Sequence, residues 1–290
     1  MNQFLVVLAL TVIIHLISTL AYAVRLSGVR TRRLLTAFSL YNIIFLLASV
    51  SNNIQIPLLT SIVEREINAG AALAGGIMPA EHLLCQEAYR RQLLLLAEES
   101  RFVMIAAALG TLAGALLIPF SVRVFIKAIG YFEETGSTLR TFVGLVKSLS
   151  RLPRRSRPLR PGLCSSLRRL AGGKLSIPKD FLLMNIAVTC FYTTGMLSAL
   201  YAGALYPDFR TTATALSMIV NGFATVLGAV VVEPAVSAIT DEALDGSRGE
   251  ADVEQMTFYL ALTRLAGTVA AQAAFLPCAY FIRFVVGILA

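Results

Sequence analysis

A few polar side chains lie within long apolar runs of this sequence. A charge at the centre of a bilayer costs about 2.5 to 3.5 kcal/mol or more, so such residues usually face a partner or a water-filled cavity. Glu233 and Arg264 have opposite charges in consecutive runs, and they are predicted either to form a structural ion pair or to bind a polar substrate. The other candidates are His15, Asn52, Asn53 and Gln55, with further amides at Asn42, Asn185, Asn221 and Gln272.

Arginines follow the first apolar run, at Arg25, Arg30, Arg32 and Arg33. A guanidinium group is a planar fork that makes paired, charge-assisted hydrogen bonds to phosphate oxygens. These arginines are therefore candidates for receiving an anionic headgroup, with Arg264 meeting it deeper in the membrane. The alternative is that they only orient the first helix, because basic residues accumulate in cytoplasmic loops.

Enzyme chemistry has little support in the residue pattern. His15 and His82 are the two histidines, and the four cysteines follow no metal-binding or disulfide spacing. There is no Ser/His/Asp constellation and no glycine-rich phosphate loop. We therefore expect no catalytic residues, no metal and no cofactor. The residues open to an enzymatic role are Glu81, His82 and Glu87, and an amphipathic external helix explains them better.

The elements that must position these residues are membrane-spanning helices. Apolar residues make up 57% of the 290-residue chain and charged ones 14%, a balance far from that of soluble domains. A spanning helix needs about 20 apolar residues. The sequence predicts an all-α, multi-pass membrane protein forming one transmembrane domain. Its six predicted spans are 4–24, 34–58, 102–126, 181–205, 213–239 and 257–281.

Positive charge predicts the orientation of these spans. Two connections are rich in Lys and Arg, one at Arg25 to Arg33 and the other, 127–180, after the third span. Short basic loops stay in the cytoplasm, so both termini and the 59–101 loop are predicted to be extracytoplasmic. The Pro/Arg-rich segment from Pro153 to Lys174 is predicted to adhere to anionic membrane lipids. Nucleic acid is not an expected partner.

Two halves of three spans enter the membrane from opposite sides, as in transporters built from inverted repeats. Short matches hint at such a 3+3 repeat, since Gly110-Thr111-Leu112-Ala113 resembles Gly267-Thr268-Val269-Ala270. Chance explains a match of this length about as well as homology does. Separately, Gly110-x-x-x-Gly114 predicts close helix contact, either within the chain or in a homodimer.

The first two spans carry a dense pattern of polar, glycine and proline residues. Its members are His15, Thr19-Leu20-Ala21-Tyr22, Arg25, Gly28-Val29-Arg30-Thr31, Arg33, Ser39-Leu40, Asn42-Ile43 and Gln55-x-Pro57-Leu58-Leu59. This pattern resembles the Amj family of lipid II flippases. The dense part of the resemblance covers about the first 65 residues, and the Glu233-Pro234 pair is similar farther along. The segment from Pro153 to Gly173 has no counterpart in it.

The resemblance implies that the chain translocates undecaprenyl-pyrophosphoryl disaccharide-pentapeptide, lipid II, across the bacterial cytoplasmic membrane for peptidoglycan synthesis. It supplies no set of binding residues. From the residues themselves, we expect Arg25, Arg30 and Arg33 to receive the headgroup at the cytoplasmic surface. Two alternatives remain, namely a membrane-embedded enzyme acting on a polyprenyl-phosphate lipid and a scaffold for envelope assembly that transports nothing.

Overall fold

The protein is helical throughout the part of the chain that the structure describes. The computed structural model describes residues 3–76, 79–136, 140–141 and 177–289. The predicted basic segment from Pro153 to Lys174 lies outside these residues. Six helical segments are long and apolar enough to cross a membrane, which confirms the predicted all-α membrane fold.

Eight α-helices of the described residues make up these segments, and the short α3 lies between the second and third segments. Five of the spans are single helices, and the fifth span in chain order is a broken helix made of α6, α7 and α8. The bounds are α1 Gln3–Thr31, α2 Leu34–Leu73, α3 Ala80–Cys85, α4 Glu87–Thr135, α5 Lys179–Leu205, α6 Arg210–Ala215, α7 Ser217–Leu227, α8 Glu233–Asp245 and α9 Glu250–Leu289.

Two of the helices are much longer than a membrane is thick. At 1.5 Å per residue, the 40 residues of α2 extend about 60 Å and the 49 of α4 about 74 Å. The 59–101 region, predicted as a loop, therefore consists mostly of helix. We call the C-terminal part of α2, α3 and the N-terminal part of α4 the hairpin. The Tyr89 hydroxyl anchors the hairpin to the end of α5 by donating to the carbonyl oxygen of Ala204, 2.7 Å away.

The fifth span is interrupted where the sequence predicts one continuous segment. A π-helical turn, Gly228–Val232, joins α7 to α8, and Pro234 follows at the start of α8. Proline has no N–H to donate, and its ring crowds the carbonyl one turn earlier, so the wider turn accommodates it. The fifth span therefore contains a built-in bend directly before Glu233.

Glycines bring the first and third spans of each half into close contact, α1 with α4 and α5 with α9. A Cβ added at Gly114 of α4 would lie 2.7 Å from Thr19 Cβ and 2.9 Å from the Leu16 carbonyl oxygen of α1. A Cβ at Gly267 of α9 would lie 2.6 Å from Thr189 Cβ and 2.7 Å from the Ile186 carbonyl oxygen of α5. The close contact predicted for Gly110 and Gly114 is thus made within the chain. The homodimer stays a prediction, and this motif no longer supports it.

The contacts of Gly114 and Gly267 have the same form, and they suggest a different alignment of the two halves from the one predicted by sequence. Gly267 is matched by Gly114 and not by Gly110, one turn away from the pairing predicted above. In this register, Leu109-x-x-Leu112-Ala113-Gly114 aligns with Leu262-x-x-Leu265-Ala266-Gly267. The partner threonines, Thr19 and Thr189, each follow an aliphatic residue by three positions.

The glycine contacts make a prediction about stability. We expect Gly267→Val to lower the free energy of unfolding by about 1 to 3 kcal/mol, because the added side chain must displace the backbone of α5. The measurement is the thermal melting of the detergent-purified protein. Gly287→Val is the matched control on α9, since no described atom lies within 4 Å of a Cβ added there. Equal melting temperatures for the two variants would contradict the contact.

Candidate functional site

Arg25 is held by an ion pair and an aromatic ring where α1 meets α8. Its guanidinium binds the carboxylate of Glu233, and its Cζ lies 5.0 Å from the centroid of the Phe38 ring of α2. The Arg25 side chain is 12% exposed, whereas that of Glu233 is 59% exposed. The predicted pairing of Glu233 with Arg264 is wrong, because the bend before α8 directs this carboxylate towards α1 instead.

The other two arginines of the predicted headgroup site are also paired with carboxylates. Arg30 Nε lies 2.5 Å from Glu250 Oε1 and its Nη2 lies 3.9 Å from Glu254 Oε2, which ties α1 to α9. Arg33 Nε lies 2.6 Å from Glu133 Oε1 of α4. We call this side of the bundle, which carries the α1–α2 and α8–α9 turns, the arginine end.

Arg264 differs from these arginines because no carboxylate neutralises it. It is half-buried in α9, it forms no ion pair with any described residue, and its Nε atom is buried without a hydrogen-bond partner. His15 of α1 and Tyr41 of α2 lie within electrostatic range of its guanidinium. His15 Nδ1 lies 3.5 Å from Thr111 Oγ1 of α4. An unpaired cation within an apolar bundle is typical of a functional site.

A polar stripe on α1 connects Arg25 to this buried cation. Arg25, Tyr22, Ser18 and His15 follow one another at spacings of three and four residues, so they share one face of the helix. All four are half-buried. The ten residues from His15 to Arg25 correspond to about 15 Å along the helix axis. The stripe therefore extends from the arginine end to the interior of the bundle.

The sector of α2 that contains Phe38 carries several exposed polar side chains, together with the exposed apolar side chains Phe45 and Ile56. At 100° per residue, Asn52 lies about 20° around the helix from Tyr41, and Ser49 and Asn42 lie about 80° and 100° from it. Phe38, the residue under Arg25, lies within this sector at about 60°. Asn42, Ser49 and Asn52 are exposed. We call the α1 stripe, this face of α2 and Arg264 the lateral groove.

The three amides predicted to act together are separated by the structure. Asn52 and Asn53 are exposed, and neither bonds to another described residue. Gln55 is buried and its Nε2 donates to Thr11 Oγ1 of α1 over 2.5 Å. Gln55 therefore fastens α2 to α1, whereas Asn52 and Asn53 remain available to a ligand.

Polar contacts also join the two halves of the chain at the opposite side of the bundle, the hairpin end. Arg101 Nη1 donates to the Gln272 carbonyl oxygen over 3.2 Å, and Gln272 Nε2 donates to the Arg101 carbonyl oxygen over 3.0 Å. The sequence reasoning missed this pair because the two residues are far apart in the chain. Glu81, His82 and Glu87 lie exposed on the hairpin, away from the lateral groove.

The environment of Arg264 predicts an unusual mutational response. Arg264→Met should leave the melting temperature unchanged or raise it, because the substitution removes a half-buried charge that has no partner among the described residues. Asn185→Ala is the matched control from the same layer, since Asn185 Nδ2 donates to Thr263 Oγ1 over 2.8 Å. The control should lose about 1 to 3 kcal/mol of stability, since its removal leaves the buried Leu260 carbonyl with one donor fewer. A large loss of stability in R264M, measured by thermal melting in detergent, would contradict the assignment.

Comparison with known proteins agrees with this architecture. The family model described as "Amj: Alternate to MurJ" matches residues 10–286. The chain is 32% identical over 293 residues to the lipid II flippase Amj of Bacillus subtilis (strain 168), covering 98% of this chain and 96% of that protein. No solved structure matches the chain. With its six apolar helices, this chain is a multi-pass protein of the bacterial cytoplasmic membrane, and it belongs to the Amj family.

Proposed function

We propose that this protein is a lipid II flippase that moves the pyrophosphate-linked headgroup along the lateral groove. The single observation that carries this mechanism is Arg264, which is half-buried in α9, has a buried Nε without a hydrogen-bond partner and forms no ion pair with any described residue. The proposal also rests on the printed name of the Bacillus subtilis relative. The polyprenyl tail stays in the bilayer, while the charged headgroup needs a polar path because hydrocarbon excludes it.

We propose that the arginine end faces the cytoplasm. Arg25, Arg30, Arg32 and Arg33 lie at this end, and short loops rich in basic residues remain on the cytoplasmic side. Both termini and the hairpin then face outward. The headgroup therefore enters beside Arg25 and leaves near the hairpin.

The residues of the groove have distinct roles in this mechanism. Arg25 receives the pyrophosphate, and Arg264 binds it about halfway, since a guanidinium fork fits phosphate oxygens. Asn52 and Asn53 offer amide donors and acceptors to the sugars and the peptide. Gln55 acts indirectly by holding α2 against α1. Arg30 and Arg33 attract the anionic headgroup to the cytoplasmic surface.

We further infer that the halves α1–α4 and α5–α9 form an inverted repeat. The matching contacts of Gly114 and Gly267 support this, as does the Leu-x-x-Leu-Ala-Gly register. Both sets of contacts between the halves, at the arginine end and at the hairpin end, must open in turn for a headgroup to pass. Rocking of one half against the other is the usual motion of such repeats.

Transport of lipid II predicts a clear effect of the buried arginine. We expect Arg264→Met to slow translocation at least about tenfold, because the pyrophosphate loses its cationic contact midway along the groove. The measurement is the leaflet accessibility of intact lipid II in proteoliposomes containing this protein alone. Arg123→Met is the matched control, since Arg123 is exposed on α4 away from the groove. Wild-type rates in R264M would remove the arginine from the mechanism, and chemical change of the lipid would favour the enzymatic alternative.

The lateral groove also predicts where water reaches the spans. A cysteine placed at Ser49 should react with a membrane-impermeant charged thiol reagent, because this face of α2 lines the polar path. Leu47→Cys is the matched control. Leu47 is 62% exposed but lies about 200° around the helix from Ser49, on the lipid-facing side. Both variants are made in a background without the native cysteines. Equal reactivity at the two positions would show that the groove is not hydrated.

A further inference from the structure

Only some ion pairs of the arginine end join the two halves of the protein. Among the described residues, Arg25 binds Glu233, and Arg30 binds Glu250 and Glu254, so both link the first half to the second. The other pairs stay within one half. They are Arg33 with Glu133 and Arg248 with Glu242.

We propose that Glu233 is a specificity-determining residue. Its carboxylate blocks Arg25 against lipids carrying a single phosphodiester charge and is displaced from Arg25 by a pyrophosphate. This inference rests on the proposed function, because it assigns the selectivity of the same groove. In the protein without a bound lipid, the Glu233 carboxylate occupies the place on the Arg25 guanidinium that a lipid phosphate would take. A lipid enters only by displacing this carboxylate from the guanidinium.

The surroundings of the pair support an exchange of this kind. Arg25 is nearly enclosed and rests on the Phe38 ring, so Glu233 covers an approach that an incoming phosphate needs. Glu233 itself is mostly exposed and can turn into water without leaving a buried charge behind. Breaking the pair therefore costs little on the glutamate side, whereas Arg25 requires a replacement anion.

Charge then separates the competing lipids. A phosphodiester lipid brings one negative charge and so replaces Glu233 without electrostatic gain. A pyrophosphate diester brings two charges and more acceptor oxygens, and these also attract the neighbouring Arg30. Because anionic phospholipids are abundant in the cytoplasmic leaflet, an uncovered arginine would be occupied by them. Glu233 thus rejects the common lipids, as repulsive elements do in other specific sites.

The fifth span can move when Glu233 is released from Arg25. The π-helical turn ends at Val232, so Glu233 is the first residue beyond the bend. The apolar side chains Met218, Phe223 and Val230 of this span are exposed, which leaves it free to tilt in lipid. Displacement of Glu233 from Arg25 therefore loosens this span from the first half and widens the mouth of the groove.

The test compares two labelled lipids in proteoliposomes of wild type and variants. The probes are fluorescent phosphatidylglycerol, which has one phosphodiester charge, and lipid II. We expect Glu233→Gln to raise the rate of phosphatidylglycerol translocation roughly fivefold, the range of one partly exposed ion pair, while lipid II still moves. Glu242→Gln is the matched control, because its partner Arg248 lies in the same half. This control should leave both rates at the wild-type values.

Further variants separate the possible outcomes. In the double variant R25Q/E233Q the gain for phosphatidylglycerol should disappear, because no cation remains to attract it. Glu233→Ala is the second variant should E233Q fail to fold. If wild type moves lipid II and neither variant gains phosphatidylglycerol translocation, the selectivity proposal is overturned while the flippase proposal stands. If wild type does not move lipid II but E233Q gains phosphatidylglycerol translocation, the flippase proposal falls. The yielding of Arg25 to a pyrophosphate falls with it, and only the exclusion of single-charge lipids by Glu233 stands.

Discussion

The structure depends on how charge is accommodated within hydrocarbon. Arg25, Arg30 and Arg33 are neutralised by carboxylates at one end of the bundle, and Arg101 is bonded to Gln272 near the other. Arg264 alone among these arginines has neither kind of partner. A protein selected only for stability would replace it by an apolar residue. The presence of Arg264 therefore indicates a functional role that outweighs its cost in stability.

Close helix packing determines where a polar path can lie. Gly114 and Gly267 bring helix backbones so near that neither the α1–α4 contact nor the α5–α9 contact leaves room for a headgroup. The polar surface that remains is lateral, on the α1 stripe, whose Tyr22 carbonyl accepts from Thr257 of α9, and on the exposed residues of α2. A path at this surface suits a substrate whose tail remains in lipid, because the headgroup and the tail travel side by side.

The sequence predicted the spans well and the partners poorly. Length and hydropathy locate spanning helices without tertiary information, so the six apolar segments were found. The partner of Glu233 depends on the bend at Gly228–Val232, which no apolar pattern reveals. The extension of α2 and α4 into the hairpin was not predicted, because charged residues such as Glu64, Arg65 and Arg91 interrupt the hydropathy of this region while leaving its helices intact. The separation of Gln55 from Asn53, two residues earlier, follows from helix periodicity and was within reach of the sequence. Asn52 stands at the i, i+3 spacing that shares a face with Gln55, so its exposure depends on how α2 packs against α1.

The long helix α4 gives the protein a mechanical property. Its 49 residues run from the hairpin to the arginine end as one continuous helix of about 74 Å, with Pro119 in its interior. A tilt of about ten degrees around its midpoint would displace each tip by about 6 Å in opposite directions. Movement at the arginine end is therefore transmitted to the hairpin end at equal amplitude, so that the two ends work as the equal arms of a lever.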